Sequence, residues 1–313
     1  GGGGGGPAAP LAAHFPAAWR LALERVREAC VVARAGAVVV RRQDQGLLAN
    51  LLVVADALVA APGGAAVEVD WAVRGGELHF RYGPPGTDVW AELFEPLPAP
   101  AAGGGGGGAA AVLRSRLNPA LCGVHRALLL RPGLAHQRQA YGAALQRAVR
   151  VRHPGVLGAV REAEGRIAGR RAVGVHKRVD TPGVRKAQAG LGLAPVAAYV
   201  AAARRAGEAL GPGFAVFLAT DDEAAVPAFR DAFGQALVVR EGVRRTAGGV
   251  LPGGVMNEVH TGPGCSLQDA ADVLADTTLL SRCDVLVHAD SNVTLAAAML
   301  NPALRTVHVG GAV

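Results

Sequence analysis

Three short polar clusters in the second half of the chain carry groups that could hold and act on a ligand. They are His176-Lys177-Arg178, Thr220-Asp221-Asp222 and Asp290-Ser291-Asn292. Each follows an apolar run that reads as a buried strand: AVGVH (172–176), FAVFLAT (214–220) and DVLVH (284–288). Ligands of open parallel sheets sit beyond the carboxyl ends of the strands, so the clusters are expected to converge on one edge. There they would offer two cations, an imidazole, carboxylates and hydroxyls. The alternative is that all three are ordinary turn and cap residues, because Ser, Thr, Asp and Asn favour helix N-caps. Ser291 and Asp222 suit caps on either reading.

The elements that must position these clusters are legible around them. Amphipathic helices are expected over 195–210, 223–233, 267–282 and 293–300, with further strands over 236–240 and 305–309. Strands apolar on both faces that alternate with helices call for a parallel sheet covered on both sides. The 169–313 segment therefore reads as a Rossmann-like, doubly wound domain. The 11–168 segment is less regular. Helices are expected over 12–30, 46–61 and 138–150, a short buried strand over 67–71 (VEVDW), and a turn-rich stretch with a helical turn over 82–96. Residues 1–10 form a Gly/Pro-rich leader expected to be disordered, and a Gly-rich insert occupies 98–111. Neither glycine run resembles a phosphate-binding loop, since no Lys-Ser/Thr pair follows.

Composition narrows the classes. The chain has 313 residues, half of them hydrophobic and 18% charged, with a mean hydropathy of +0.26. These values exclude a wholly disordered chain. No apolar run reaches the length that spans a bilayer, so no transmembrane segment is expected within this chain. A net charge of +7 invites nucleic acid, yet the basic residues are dispersed without interleaved aromatics, and no nucleic-acid partner is expected. The charge better fits a substrate carrying phosphate. Cys30, Cys122, Cys265 and Cys283 lie far apart, which argues against a zinc or redox motif and leaves the compartment open. Asp221-Asp222 is not a DxD pattern, so no metal is expected.

Taken in order, the clusters resemble a known family. GVHKRVD (174–180) is similar to the H-x-R motif of GDP-fucose-dependent fucosyltransferases, and VFLATDDEAAVPAFRDAFG (216–234) to their VYLATDD strand and helix. DTTLLSRCD (276–284), followed by an apolar strand and a Ser-bearing turn, resembles their D-x-x-x-L-S-x-x-D helix. The resemblance covers about 130 residues and is strongest to the α1,6 enzymes of the core and nodulation type. It implies a GT-B-like α/β fold of two Rossmann-like domains, with 11–168 on the acceptor side and 169–313 binding the nucleotide sugar.

The same resemblance implies a reaction. Fucose would pass from GDP-fucose to a glycan or protein hydroxyl with inversion, and without a metal or other cofactor. Arg178 would be the catalytic residue, stabilising negative charge on the departing β-phosphate. His176 and Asp276 would contact guanine, whose adjacent N1–H and N2–H₂ donors suit a carboxylate. Asp221 and Asp222 would lie near the ribose, and Ser291 and Asn292 would meet a phosphate at a helix start. Two positions depart from the family pattern: Val179 stands where a second Arg is usual, and Asn292 where a second Ser is. Val179 favours another reading, a non-catalytic nucleotide- or glycan-binding relative, and an enzyme of the same fold using another nucleotide sugar stays open beside it. Glu95, Asp70 and Asp56 are the candidate acids for a catalytic base, with nothing in their spacing to choose among them. For eukaryotic members the resemblance implies a Golgi or endoplasmic reticulum lumen.

Overall fold

The computed structural model describes residues 37–42, 46–60, 66–75, 80, 82–98, 111–113, 135–179, 194–246, 265–289 and 291–309. The helix expected over 12–30, both glycine runs, Asp180 and Asp290 lie outside them.

The first half builds a small parallel sheet from β1 (Ala37–Arg41), β2 (Ala66–Asp70) and β3 (Ala111–Leu113), ordered β2-β1-β3. Helix α1 (Leu47–Ala60), expected from its leucine and valine spacing, joins β1 to β2. β2 was expected to be buried, but its residues are half-buried or exposed, as suits a strand at the sheet's edge. β1 and β3 had not been read from the sequence. Further along come α2 (Val89–Leu93), α3 (Ala135–Ala148) and α4 (Pro154–Ile167). Asp88 caps α2 by accepting from the N–H groups of Trp90 and Ala91. That cap seats Trp90 edge-on against Trp71, with ring centres 5.1 Å apart, and stacks it on Phe94 at 4.4 Å. Such contacts contribute about 0.5–1.5 kcal/mol each beyond area burial.

The second half follows the expected alternation. It runs β4 (Ala172–Lys177), α5 (Val196–Leu210), β5 (Ala215–Thr220), α6 (Ala225–Phe233), β6 (Leu237–Val239), α7 (Leu267–Ser281), β7 (Val285–His288), α8 (Asn292–Leu300) and β8 (Arg305–His308). All five strands are parallel, in the order β6-β5-β4-β7-β8. β4 to β7 are buried throughout, whereas the edge strand β8 exposes alternate residues.

The two faces of this sheet have separate cores. Val173, Val175, Val216, Leu218, Val239 and Val287 pack with Tyr199, Ala203 and Phe229 of α5 and α6. On the other face Phe217, Ala219, Val238 and Leu286 meet Leu274, Ala275 and Leu279 of α7. This second core runs unbroken into the first half, through α1, Trp71 and Tyr141. Helix α4, which lies before residue 168 in sequence, packs against α7 and β6. Gly174 of β4 faces α7 closely, since a Cβ there would lie 3.0 Å from Leu280 Cδ2 and Cys283 Sγ. No helix among the described residues is long and apolar enough to cross a membrane.

The halves also lock at α3 and α8. A Cβ at Gly142 would lie 2.7 Å from the Met299 carbonyl oxygen and would overlap Pro302 Cγ. Gln146 Nε2 donates to the Leu300 carbonyl of the same seat. In an open helix Gly→Ala would gain up to about 1 kcal/mol of propensity. Here the methyl meets backbone, and overpacking of this kind costs about 1–3 kcal/mol. Gly142→Ala is therefore expected to lower stability, read as a reduced urea midpoint with unchanged m-value; a raised midpoint would contradict this docking.

Candidate active site

The sheet order places a topological switch between β4 and β7. From β4 the chain builds outward to β5 and β6, then returns to β4's other side for β7 and β8. The crevice beyond the carboxyl ends of β4 and β7 is the ligand position of such sheets. His176 and His288 are register partners at these two ends, and His308 pairs with His288 on β8.

Ser291 bridges the crevice. It caps α8 by accepting from the Thr294 N–H at 3.1 Å, and Thr294 Oγ1 accepts from the Ser291 N–H at 3.2 Å. The Ser291 hydroxyl also lies 3.2 Å from His176 Nδ1. With the hydroxyl proton directed at Nδ1, the ring proton sits on Nε2. The cap occupies the N–H of the third helical residue, leaving those of Asn292 and Val293 as first-turn donors.

The second cluster grips the first. Asp221 Oδ1 accepts from the Val179 N–H at 2.5 Å, and Thr220 Oγ1 donates to the Lys177 carbonyl at 2.6 Å while accepting from the Asp222 N–H at 3.0 Å. Lys177, which the sequence sets on the strand face opposite His176, is buried in an ion pair with Asp222. Asp222 accepts from the Ala224 N–H as well, at 3.1 Å, and so fixes the turn into α6. Arg178 is more open than either neighbour, and its Nε stands 3.9 Å from Asp221 Oδ2. Val179 is buried.

Asp276 lies apart from these clusters in sequence, on α7, and has a partner that sequence reading missed. Arg240, the residue after β6, sends Nη1 to Asp276 Oδ1 at 3.0 Å and Nη2 to Asp272 Oδ1 at 2.6 Å. Burial pushes the Asp276 carboxyl up to about 6, against the opposing pull of Arg240. Two turns before Asp276, Arg244 Nε pairs with Asp269 Oδ1 at 3.0 Å. The only signal in the sequence was the run of acids at 269, 272 and 276 on one helix face, with arginines at 240, 244 and 245 to meet them.

The first half reaches the site through Tyr82. Its hydroxyl accepts from the Leu47 N–H at 3.0 Å, and burial raises its phenol far above the ordinary value. It lies within electrostatic range of both Arg178 and Asp269. The three acids considered as bases fare differently. Asp56 is buried and accepts from the Tyr141 hydroxyl at 2.8 Å, Asp70 pairs with Arg41 and Arg74, and Glu95 is exposed. Among the described residues no group of three or more His, Cys, Asp or Glu side chains is placed to hold a metal ion.

Two consequences can be measured. Removing one partner of a buried ion pair costs about 3–5 kcal/mol, because the remaining charge stays unanswered, while replacing both can be near neutral. Lys177→Met is thus expected to lose about that much in chemical denaturation, and Lys177→Met/Asp222→Leu to recover most of it. Additive losses would place the pair in solvent. The second consequence concerns His288, whose imidazole is pushed down to about 4 by burial, with His308 adding to the shift. The unfolded chain then binds this proton more readily than the folded one, so the stability contribution is complete above about 6.5 and is lost as pH falls through about 4. His288→Leu is expected to remove an acid-side loss of about 2–3 kcal/mol, read from urea midpoints at pH 7 and 4.5. An unchanged acid slope would refute it.

No protein-family model matches this sequence, and no curated protein matches it significantly. Solved structures do match. An α-1,6-fucosyltransferase structure, NodZ soaked with GDP-fucose, aligns with a TM-score of 0.51 at 16% identity, over 84% of this chain and 92% of that one. The structure of fucosyltransferase NodZ from Bradyrhizobium aligns with a TM-score of 0.50 at 16% identity, over 84% and 93%. At such identity the likeness speaks for architecture, and the chain has the GT-B-like α/β fold of those fucosyltransferase structures.

Proposed function

We propose that the protein is a glycosyltransferase that moves fucose from GDP-fucose to a hydroxyl of a glycan or protein, with inversion and without a metal. The observation that carries this reading is the junction of His176 with Ser291 across the β4/β7 switch, with Arg178 next along the chain. A fold like that of NodZ soaked with GDP-fucose supports the choice of donor.

Transfer breaks the fucose C1–O bond to the β-phosphate as an acceptor hydroxyl oxygen attacks C1 from the opposite side and gives up its proton to water. The electron pair leaves with GDP, and charge grows on the phosphate oxygens. Arg178 answers that charge. Its guanidinium, whose Nε stands 3.9 Å from Asp221 Oδ2, is a flat fork of five donors that matches the geometry of phosphate. The Asn292 and Val293 N–H groups and the positive end of α8 add to the hold on the diphosphate. His176 Nε2 and the Asp276 carboxylate meet the guanine. Asp221 and Asp222, beside the ribose position, act mainly by fixing the backbone that presents Arg178.

Val179 favours a second reading. An apolar side chain buried at that position supplies no further cation to the diphosphate, which fits a relative that binds the nucleotide without turning it over. One set of measurements separates the readings. Calorimetric titration should show GDP binding to the wild type and weaker binding of UDP. Arg178→Ala should weaken GDP about tenfold or more and lower transfer by about 10²–10³. GDP binding without fucose transfer to any glycan or protein acceptor would favour the non-catalytic relative. Preference for UDP would point to another donor, and no binding of GDP at millimolar concentration would end the proposal.

A further inference from the structure

We infer that Arg240 is a positioning residue for Asp276 and sets the base specificity of the donor site by holding that carboxylate charged and aimed. The inference rests on the donor reading above. Its geometry is that of the sheet. His176 on β4 pairs with Ala219 on β5, and Leu218 pairs with Val239 on β6, so Arg240 continues the row that contains His176 and Ala219. Strand spacing puts the two ends of this row roughly 10 Å apart. Only the small side chain of Ala219 stands between them, on the face covered by α7.

From that position the Arg240 guanidinium reaches α7 at two places one turn apart. It holds Oδ1 of Asp272 and Oδ1 of Asp276, and Nη1 also donates to the Asp272 carbonyl at 2.9 Å. Gln268 Nε2 buttresses Asp272 from the preceding turn at 3.1 Å. The Arg240 side chain is 11% exposed, so this fork is fixed by burial as well as by charge. Asp276 is 15% exposed, and its second oxygen accepts no hydrogen bond among the described residues. That oxygen remains for a ligand.

The charge on Asp276 decides what it can read. An ionised carboxylate accepts at both oxygens and matches the N1–H and N2–H₂ edge of guanine. A protonated one donates at one oxygen, matches no such edge, and fits the donor–acceptor edge of adenine instead. Burial drives the group toward the neutral form, up to about 6 even with Arg240 in place. The other charged groups around it are few. Asp272 raises it and Arg245 lowers it; Glu241 and Arg230 pair with each other nearby; Arg166 of α4 reaches the Val239 carbonyl. From α1, Asp56 is engaged with Tyr141, and α8 carries no titratable side chain. His176 stands across the row.

The test is nucleotide affinity against pH, with GDP, inosine diphosphate, ADP and UDP as probes. Wild type is expected to prefer GDP to inosine diphosphate, which lacks the N2 amine, and to lose GDP affinity about tenfold per pH unit below about 6. Arg240→Gln should shift that fall upward by one to two pH units. At pH 7 it should bind GDP about 2–10-fold more weakly while UDP binding holds, and raising the pH to 9 should restore GDP. Arg240→Lys keeps the charge without the fork and should fall between; it carries the test if the Gln variant does not fold. Asp276→Asn should lose the GDP preference at every pH. Loss of GDP and UDP alike at all pH in Arg240→Gln, or a wild-type profile in that variant, would overturn the inference while leaving the donor reading standing. A wild type that does not favour GDP over UDP would overturn both.

Discussion

An ammonium buried between two strands must be met by a carboxylate, and Lys177 with Asp222 meets that requirement at the place where β4 and β5 end. The pair does more than neutralise itself. Asp222 can reach Lys177 only if the chain turns sharply after β5, and that turn brings Thr220 onto the Lys177 carbonyl and Asp221 onto the Val179 N–H. Three successive side chains of one strand end thus hold the carbonyl and the ammonium of Lys177 and the N–H of Val179 on its neighbour. His176 and Arg178 take their directions from this grip. Alternation along β4 turns His176 toward α7 and α8 while Lys177 faces away. Mobility at the β4 end would uncouple the imidazole from Ser291 and the guanidinium from the crevice.

The site concentrates titratable groups where water is scarce, and their linkages oppose each other. His288 remains neutral in the fold and draws stability from higher pH, as the unfolded chain binds its proton more readily. Asp276 behaves in the reverse sense. Its folded-state value near 6 exceeds that of an exposed Asp, so between about 4 and 6 the folded chain holds the extra proton, and ionisation at higher pH costs stability. Over that window the two slopes partly cancel. A buried carboxylate kept charged at a cost has to be explained by what it does, and under the proposed function its open oxygen supplies a use. Perturbed groups of this kind collect at functional sites, although ion-pair networks perturb them too.

Much of the second half was legible because both faces of its strands are apolar and each helix begins or ends on a clear signal. Ser266 with Asp269 and Ser291 with Thr294 form reciprocal caps, and Gly211 and Gly234 close helices with positive φ. The three polar clusters were read as meeting on one edge, and the parallel register brings His176, Thr220 and Ser291 there. What escaped was set by distance in sequence. The Arg240 fork joins residues 32 and 36 apart, and the Tyr141–Asp56 bond residues 85 apart. Long-range pairs of that kind leave no periodicity. β1 and β3 were missed for a related reason: runs as short as AVVVR and AVL, with few turn signals, do not separate a strand from a helix segment.

The two halves are best understood through α8. At nine residues it spans about 13 Å, with Ser291 at one end and the seat of α3 near the other. Its middle is buried along nearly its whole length, so it moves as a rod or not at all. Whatever shifts α3 against Met299 and Pro302 is therefore felt at the Ser291 hydroxyl, and through it at His176. Asn301 ties the same end to the Ser281 carbonyl at 2.8 Å, which closes the loop back through α7 to Asp276 and Arg240. With a single apolar core running from Trp71 through α1 into α7, separating the halves would expose the face on which His176 and Asp276 stand. The crevice is thus a property of the joined chain: one side is fixed by β4 and β5, and the other by helices whose footing lies in the first half.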